Sequence, residues 1–118
     1  MIKPIKYVYV AGPLTGSGRL TDNVRNACDM ATILLNHNFV PFVPHVNVWW
    51  ALLDARSEKE WLKWDLEWLR RSDAVLRLPG TSPGSDIEEG VAKELGLPIF
   101  YHLVDLLKYD LKQKGLIE

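Results

Sequence analysis

The 118-residue sequence predicts a single α/β domain spanning residues 1–118, a three-layer sandwich with helices on both faces of a parallel four-stranded sheet. Three observations carry this. Short apolar, β-branched runs alternate along the chain with longer stretches of helical periodicity, the pattern of repeated strand–helix units. One such unit, from Asp73 to Tyr101, holds a strand, a Gly-rich turn, a helix and a second strand, and so requires parallel pairing. The length supports one domain with a modest core.

Taken in order, Tyr7-Val8-Tyr9-Val10-Ala11 is the first strand, and the loop Gly12-Pro13-Leu14-Thr15-Gly16-Ser17-Gly18 follows it. Thr21 is placed to cap a helix from about Asp22 to Asn36, with Val24, Ala27, Cys28, Ala31, Leu34 and Leu35 as its buried stripe. Phe39 to Val43 is a second strand, and Pro41 suits it to a sheet edge. Trp49 and Trp50 lead into a segment to Arg56 that reads as one or two helical turns. Ser57-x-x-Glu60 is a capping box opening a helix to about Arg71. Asp73 to Leu78 and Leu97 to Tyr101 are the third and fourth strands, and Leu103 to Lys114 is an amphipathic terminal helix. The expected strand order is 2-1-3-4, a flavodoxin- or Rossmann-like arrangement, with the switch point between strands 1 and 3. The loops after those strands, Tyr9 to Gly18 and Pro79 to Glu88, then face each other across one crevice.

Composition excludes several function classes. The sequence is 47% hydrophobic and 25% charged with net charge −1. Scattered Lys and Arg give no basic groove for a nucleic-acid polymer. No apolar run approaches the roughly 18 residues of a membrane span, and Met1 to Lys6 does not read as a signal peptide. The single Cys28 cannot form an internal disulfide and lies on a helix's apolar side, which reads as an inert thiol in a cytoplasmic protein. No Cys/His set has metal spacing, so neither a metal nor a cofactor is expected. Five Trp are many for this length. Trp49, Trp50 and a face of the Trp61–Trp68 helix exceed what one small core absorbs, which predicts a homodimer or larger assembly.

Chemistry concentrates at the crevice. The turn Ser82-Pro83-Gly84-Ser85 joins a strand's C-terminal end to a helix's N-terminal end, where free backbone N–H groups and the helix dipole favour an anion. Glu88 is open to two readings. Ser85-x-x-Glu88 is a capping box, with Ser85 at the N-cap and Glu88 in the first turn. An ionised carboxylate at a crevice mouth is also a nucleophile or base. Asp65 falls in the apolar arc of its helix, where a carboxylate costs several kcal/mol unless paired or facing a polar cavity; it either serves function, caps a loop or bonds a tyrosine. His45 is either a ligand contact or a surface loop residue, and His102 reads as a loop residue. The glycines of the first loop allow close approach to a ligand, but their spacing matches neither the Walker nor the dinucleotide pattern.

Three runs together carry a resemblance over most of residues 7 to 100. They are Tyr9-Val10-Ala11-Gly12-Pro13-Leu14-Thr15-Gly16, then Asp65-Leu66-x-Trp68-Leu69-x-x-x-Asp73, and then Ser82-x-Gly84-x-x-x-Glu88-x-Gly90. They resemble the nucleoside 2-deoxyribosyltransferase superfamily. Leu78-Pro79-Gly80 is similar to a segment of its small bacterial and phage members, and the 2′-deoxynucleoside 5′-monophosphate N-glycosidases are similar too. The resemblance implies that Glu88 attacks C1′ of the sugar to form a glycosyl-enzyme, with release to water or to a second base. It implies that Asp65 positions sugar, base or nucleophile, that Tyr9 is an active-site tyrosine, and that His45 matches a histidine of some nucleotide hydrolases. Ser82 stands where enzymes of free nucleosides have Asp and nucleotide hydrolases have Ser, and a hydroxyl suits a 5′-phosphate where a carboxylate repels it. Gly12, Pro13, Thr15, Gly16, Arg19, His45, Ser82, Gly84 and Ser85 are thus the expected substrate-binding residues. Thr15 departs from the arginine of the nucleotide hydrolases, with Arg19 as its substitute. The C-terminus is short for a family whose sites borrow residues from a neighbouring subunit. The expected activity is an N-glycosidase of a (deoxy)nucleoside 5′-monophosphate, with base exchange or nucleotide binding without turnover as alternatives.

Overall fold

A computed structural model describes residues 4–15 and 18–118. Strands β1 (Tyr7–Ala11), β2 (Val40–Phe42), β3 (Ala74–Arg77) and β4 (Ile99–Phe100) form one sheet in the order β2-β1-β3-β4. Every pairing is parallel, with Tyr9 opposite Phe42 and Val75, and Ala11 opposite Arg77. The predicted strand order and the edge position of Pro41 both hold. Helices α1 (Leu20–Asn36), α2 (Val48–Leu53), α3 (Glu58–Arg70), α4 (Pro83–Glu94) and α5 (Leu103–Gln113) complete the domain, and a 3-10 turn at Pro44–Asn47 precedes α2.

The period-2 alternation of the two central strands sorts side chains onto two faces. Val8, Val10, Ala74 and Leu76 form one core with Ala27 and Leu34 of α1 and Leu106 of α5. Tyr9, Ala11 and Val75 form the other with Leu69 of α3 and Ala92 of α4. Phe42 extends this second face, stacking on Trp68 at 5.4 Å between ring centroids and tilting against Tyr9 at 5.6 Å. Trp64 continues the aromatic layer to Trp50 of α2, 5.7 Å away. At the sheet's far edge the Asp73 carboxylate accepts the backbone N–H groups of Lys6 and Tyr7, each at 2.9 Å.

Local signals were read correctly at α3, where Ser57 accepts the Glu60 N–H at 3.2 Å. They were misread elsewhere. Helix α1 begins at Leu20, ahead of Thr21, and Arg19 at its N-cap makes no side-chain capping bond. Leu35 is 58% exposed, and Met30 packs on the core instead. The buried stripe is therefore shifted from Leu35 toward Met30. The Ser85 capping box does not form. Ser82 is the N-cap of α4, its hydroxyl accepting the Ser85 N–H at 3.1 Å, and Pro83 occupies the first helical position. Glu88 therefore lies beyond the first turn and is not a cap. Among the described residues, no helix is long and apolar enough to cross a membrane.

Candidate active site

Parallel pairing puts the loops after β1 and β3 side by side at the sheet's C-terminal edge. The Leu78 N–H donates to the Ala11 carbonyl at 2.7 Å, continuing the ladder beyond the strands. Past that point the loops press together. A Cβ on Gly12 would come within 2.9 Å of Leu78 Cβ, and one on Gly80, whose φ is +117°, within 2.7 Å of Pro13 Cγ. Glycine at these two positions is what lets the loops close on each other. The two loops expected to face one crevice do adjoin.

His45 fixes the first loop from below. It is 3% exposed, and its Nε2 lies 3.1 Å from the carbonyls of both Gly12 and Pro13. Carbonyls only accept, so Nε2 carries the proton. Burial holds the imidazole below its ordinary pKa, against the two carbonyl bonds. It is buried, so it is not a surface loop residue, and among the described residues its Nδ1 has no hydrogen-bond partner. On the other side of the loop, Asn23 donates to the Leu14 carbonyl at 2.8 Å.

Glu88 points from α4 onto the inner sheet face, is 5% exposed, and accepts a hydrogen bond from the Tyr9 hydroxyl. Tyr9 is fully buried, so the phenol is pinned between sheet and helix. Burial, followed by the charges of Glu88 and Asp65, drives its pKa far above the ordinary tyrosine value, so it is a permanent donor. Burial also raises Glu88, to about 7, against the opposing effects of the Tyr9 hydrogen bond, Arg77 and Ser85. Asp65 reaches the same region from α3. Burial, then repulsion from Glu88, raises it to about 7, and its Oδ1 is buried without a hydrogen-bond partner among the described residues. Burial disfavours the charge on both carboxyls, and the charge of Glu88 adds to the bias toward a neutral Asp65.

The serines lead from this pair to the helix N-terminus. Ser82 donates to Ser85 Oγ at 2.9 Å, and Ser85 is 2% exposed. Gly84 has open space where a Cβ would stand, with none of the described residues within 4 Å of that position. Thr15 and Arg19 are exposed, and Gly16 lies outside the described residues. His102 is exposed at the N-cap of α5.

One central residue escaped the sequence reading. Arg77, at the end of β3, is 8% exposed. Its Nε donates to the Leu78 carbonyl at 3.1 Å and one terminal nitrogen to the Gly80 carbonyl at 2.8 Å. The other meets Asp86 at 3.0 Å and Glu89 at 3.1 Å. The Tyr101 hydroxyl donates to Glu89 at 3.0 Å. With Leu78 to Gly80 and His102, these residues line a cleft of about 380 Å³ beside the β3–α4 turn.

Residues 6–102 match the family model described as Domain of unknown function (DUF7768). The chain belongs to this family. No curated protein matches it. Solved structures place the DUF7768 chain in a known fold. A 2-desoxiribosyltransferase from Leishmania mexicana superposes with a TM-score of 0.61 at 20% identity, over 80% of this chain and 61% of that one. A 2-deoxyribosyltransferase from the psychrotolerant bacterium Bacillus psychrosaccharolyticus gives 0.59 at 20% identity, over 86% and 78%. A conserved protein from Enterococcus faecalis V583 gives 0.61 at 20% identity, over 80% and 61%. This DUF7768 chain therefore has the 2-deoxyribosyltransferase fold, as the sequence resemblance implied, and it spans about three fifths of the length of the Leishmania enzyme.

Proposed function

We propose that the chain is an N-glycosidase that cleaves the base–sugar bond of a (deoxy)nucleoside 5′-monophosphate with Glu88 as nucleophile. The observation that carries this reading is the buried Tyr9–Glu88 hydrogen bond beside Asp65, at the C-terminal edge of the sheet and next to the Ser82-capped start of α4. A carboxylate that is neither cap nor ion-pair partner, held by a tyrosine in a largely dry site, fits chemistry better than stability.

In this reading the 5′-phosphate sits at the start of α4, held by backbone N–H groups and the Ser82 hydroxyl. Gly84 leaves room for its approach, and Gly12, Pro13 and Thr15 form the opposite wall, with Arg19 as a cationic partner. Ionised Glu88 attacks C1′ and forms the glycosyl ester as the C1′–N bond breaks. Neutral Asp65 gives its proton to the departing base. Water then attacks C1′, loses a proton to a site carboxylate, and releases the sugar 5-phosphate with Glu88 regenerated. Tyr9 orients the Glu88 oxygen throughout. His45 holds the Gly12-Pro13 wall in place rather than touching the nucleotide.

Similarity to two 2-deoxyribosyltransferases favours a second reading, in which a free base replaces water as the acceptor. Incubation with a panel of deoxynucleoside and ribonucleoside monophosphates, with chromatographic detection of free base, tests both. Base release without an acceptor supports hydrolysis. Exchange only when a second base is added supports transfer. Tight binding of the panel with no cleavage over hours overturns both and leaves a nucleotide-binding module.

The assembly belongs to the same proposal. Trp49 is 74% exposed on α2, with Leu52 and Leu53 also exposed, and the neighbouring charges of Arg56, Glu60, Lys63 and Glu67 carry both signs. A second copy with the same mixed rim is a self-complementary partner, and the proposed protein is a cytoplasmic homodimer or larger.

A further inference from the structure

We infer that Arg77 is a positioning residue for Glu88, clamping the β3–α4 turn to helix α4 and so setting where the Glu88 carboxyl meets Tyr9. The inference gives the Glu88 site of the proposed function its mechanical support. Its physical basis stands apart from the reaction.

Arg77 and Tyr9 rise from adjacent strands on the same sheet face, because Ala11 pairs with Arg77 and Tyr9 with Val75. Each grips α4 at a different azimuth. Arg77 takes Asp86 and Glu89, about one helical turn apart, while Tyr9 takes Glu88 on the other side of the sheet-facing surface. At about 100° per residue those positions straddle the helix surface that faces the sheet. The same guanidinium bonds the carbonyls of Leu78 and Gly80, which lie directly before the Ser82 cap. The turn and the first two turns of α4, which carry Glu88, are thus tied to one planar fork. Only arginine presents donors spread widely enough for two carbonyls and two carboxylates.

The clamp also acts through charge. Glu88 is faced by the Tyr9 hydroxyl from β1, Asp65 from α3, Arg77 from β3 and Ser85 from its own helix, with Asp86 and Glu89 flanking and Tyr101 bonded to Glu89. Arg77 is the one cation in that set. Two surrounding carboxylates reduce its field, and it still favours ionised Glu88 against burial.

The test compares the full chain with Arg77→Met and Arg77→Lys. The carboxyl ¹³C resonance of Glu88, assigned by its loss in Glu88→Gln, is titrated by NMR, and amide exchange is followed at residues 78–82. Arg77→Met is expected to raise the Glu88 midpoint by about one pH unit and to speed exchange across the turn at least tenfold. Arg77→Lys keeps the charge without the fork. It is expected to leave the midpoint within a few tenths of a unit while still speeding exchange, and to lower kcat for base release more than it raises KM. A Glu88 midpoint unmoved in Arg77→Met overturns the inference. If that variant does not fold, wild-type exchange and wild-type kcat in Arg77→Lys overturn it. Should the wild-type protein cleave no nucleotide, the proposed function falls, and titration and exchange still decide the role of Arg77.

Discussion

Replacing Glu88 with Gln separates a catalytic carboxylate from a structural one. Gln keeps the shape of the side chain and an oxygen to accept the Tyr9 hydroxyl, and no capping bond is at stake because Ser82 caps α4. The substitution removes the charge. Glu88 rises from 4.5 to about 7 on folding, chiefly through burial. Between those values the native state binds more protons than the unfolded chain, so stability falls as pH rises through the window. At 1.36 kcal/mol per unit, the full effect is roughly 3 kcal/mol. Glu88→Gln lacks this loss. The variant is therefore expected to match wild type within about 1 kcal/mol near pH 4.5 and to exceed it by roughly 2–3 kcal/mol at pH 8, a rise in Tm on the order of 10 °C for a domain of this size. Its turnover is expected to fall about a hundredfold or more, because the amide neither attacks C1′ nor forms the normal ester. Thermal melts across pH and base-release kinetics measure the two effects. Wild-type turnover in Glu88→Gln refutes the nucleophile. A stability gap that does not widen with pH refutes the buried charge.

Asp65→Asn is expected to stabilise the fold at pH 8 by about as much as Glu88→Gln does, because burial raises both carboxyls to about 7, and to lower kcat at least tenfold; melts and base-release kinetics check both. The His45 imidazole, held below its ordinary pKa, contributes stability that is present above pH 6.5 and lost as pH falls through the lower folded value, so His45→Gln is expected to flatten the acid side of the stability–pH curve. Gly84→Ala meets no atom of the described residues within 4 Å and is expected to leave Tm within a few degrees while weakening nucleotide monophosphate binding measured by calorimetry; unchanged affinity removes the phosphate from the start of α4. Light scattering at micromolar concentration is expected to give a dimer or larger, with Trp49→Ser shifting it toward monomer, and a monomeric wild type refutes the assembly.

The sheet order and α3 were legible because their signals are local: strand–helix alternation sets parallel pairing, and Ser57 followed by Glu60 allows one cap. The start of α4 offered two serines three residues apart. Pro83 decides between them, since a proline at the first helical position places the cap at Ser82. Asp65 was flagged by its neighbours' hydrophobicity, and its raised pKa agrees with a carboxyl held in that arc. Arg77 was not flagged, although an arginine closing an apolar strand needs partners. Those partners lie 9 and 12 residues onward, and only the rotation of α4 brings them to one guanidinium. The burial of His45 likewise depends on how the 3-10 turn folds beneath the first loop, which no short-range pattern encodes.

The contact between Pro13 and Gly80, and that between Gly12 and Leu78, has a consequence for how this family diversifies. Both pairs sit at the root of the crevice in close contact, so a side chain gained at position 12 requires a smaller one at 78, while the φ of +117° favours glycine at 80 whatever stands at 13. Positions 12 and 78 are expected to change together among homologous chains or not at all, and position 80 to stay glycine. Gly84 meets no such neighbour and is free to change alone. Evolution can then retune what reaches the helix start while the hinge of the two loops is inherited as a unit.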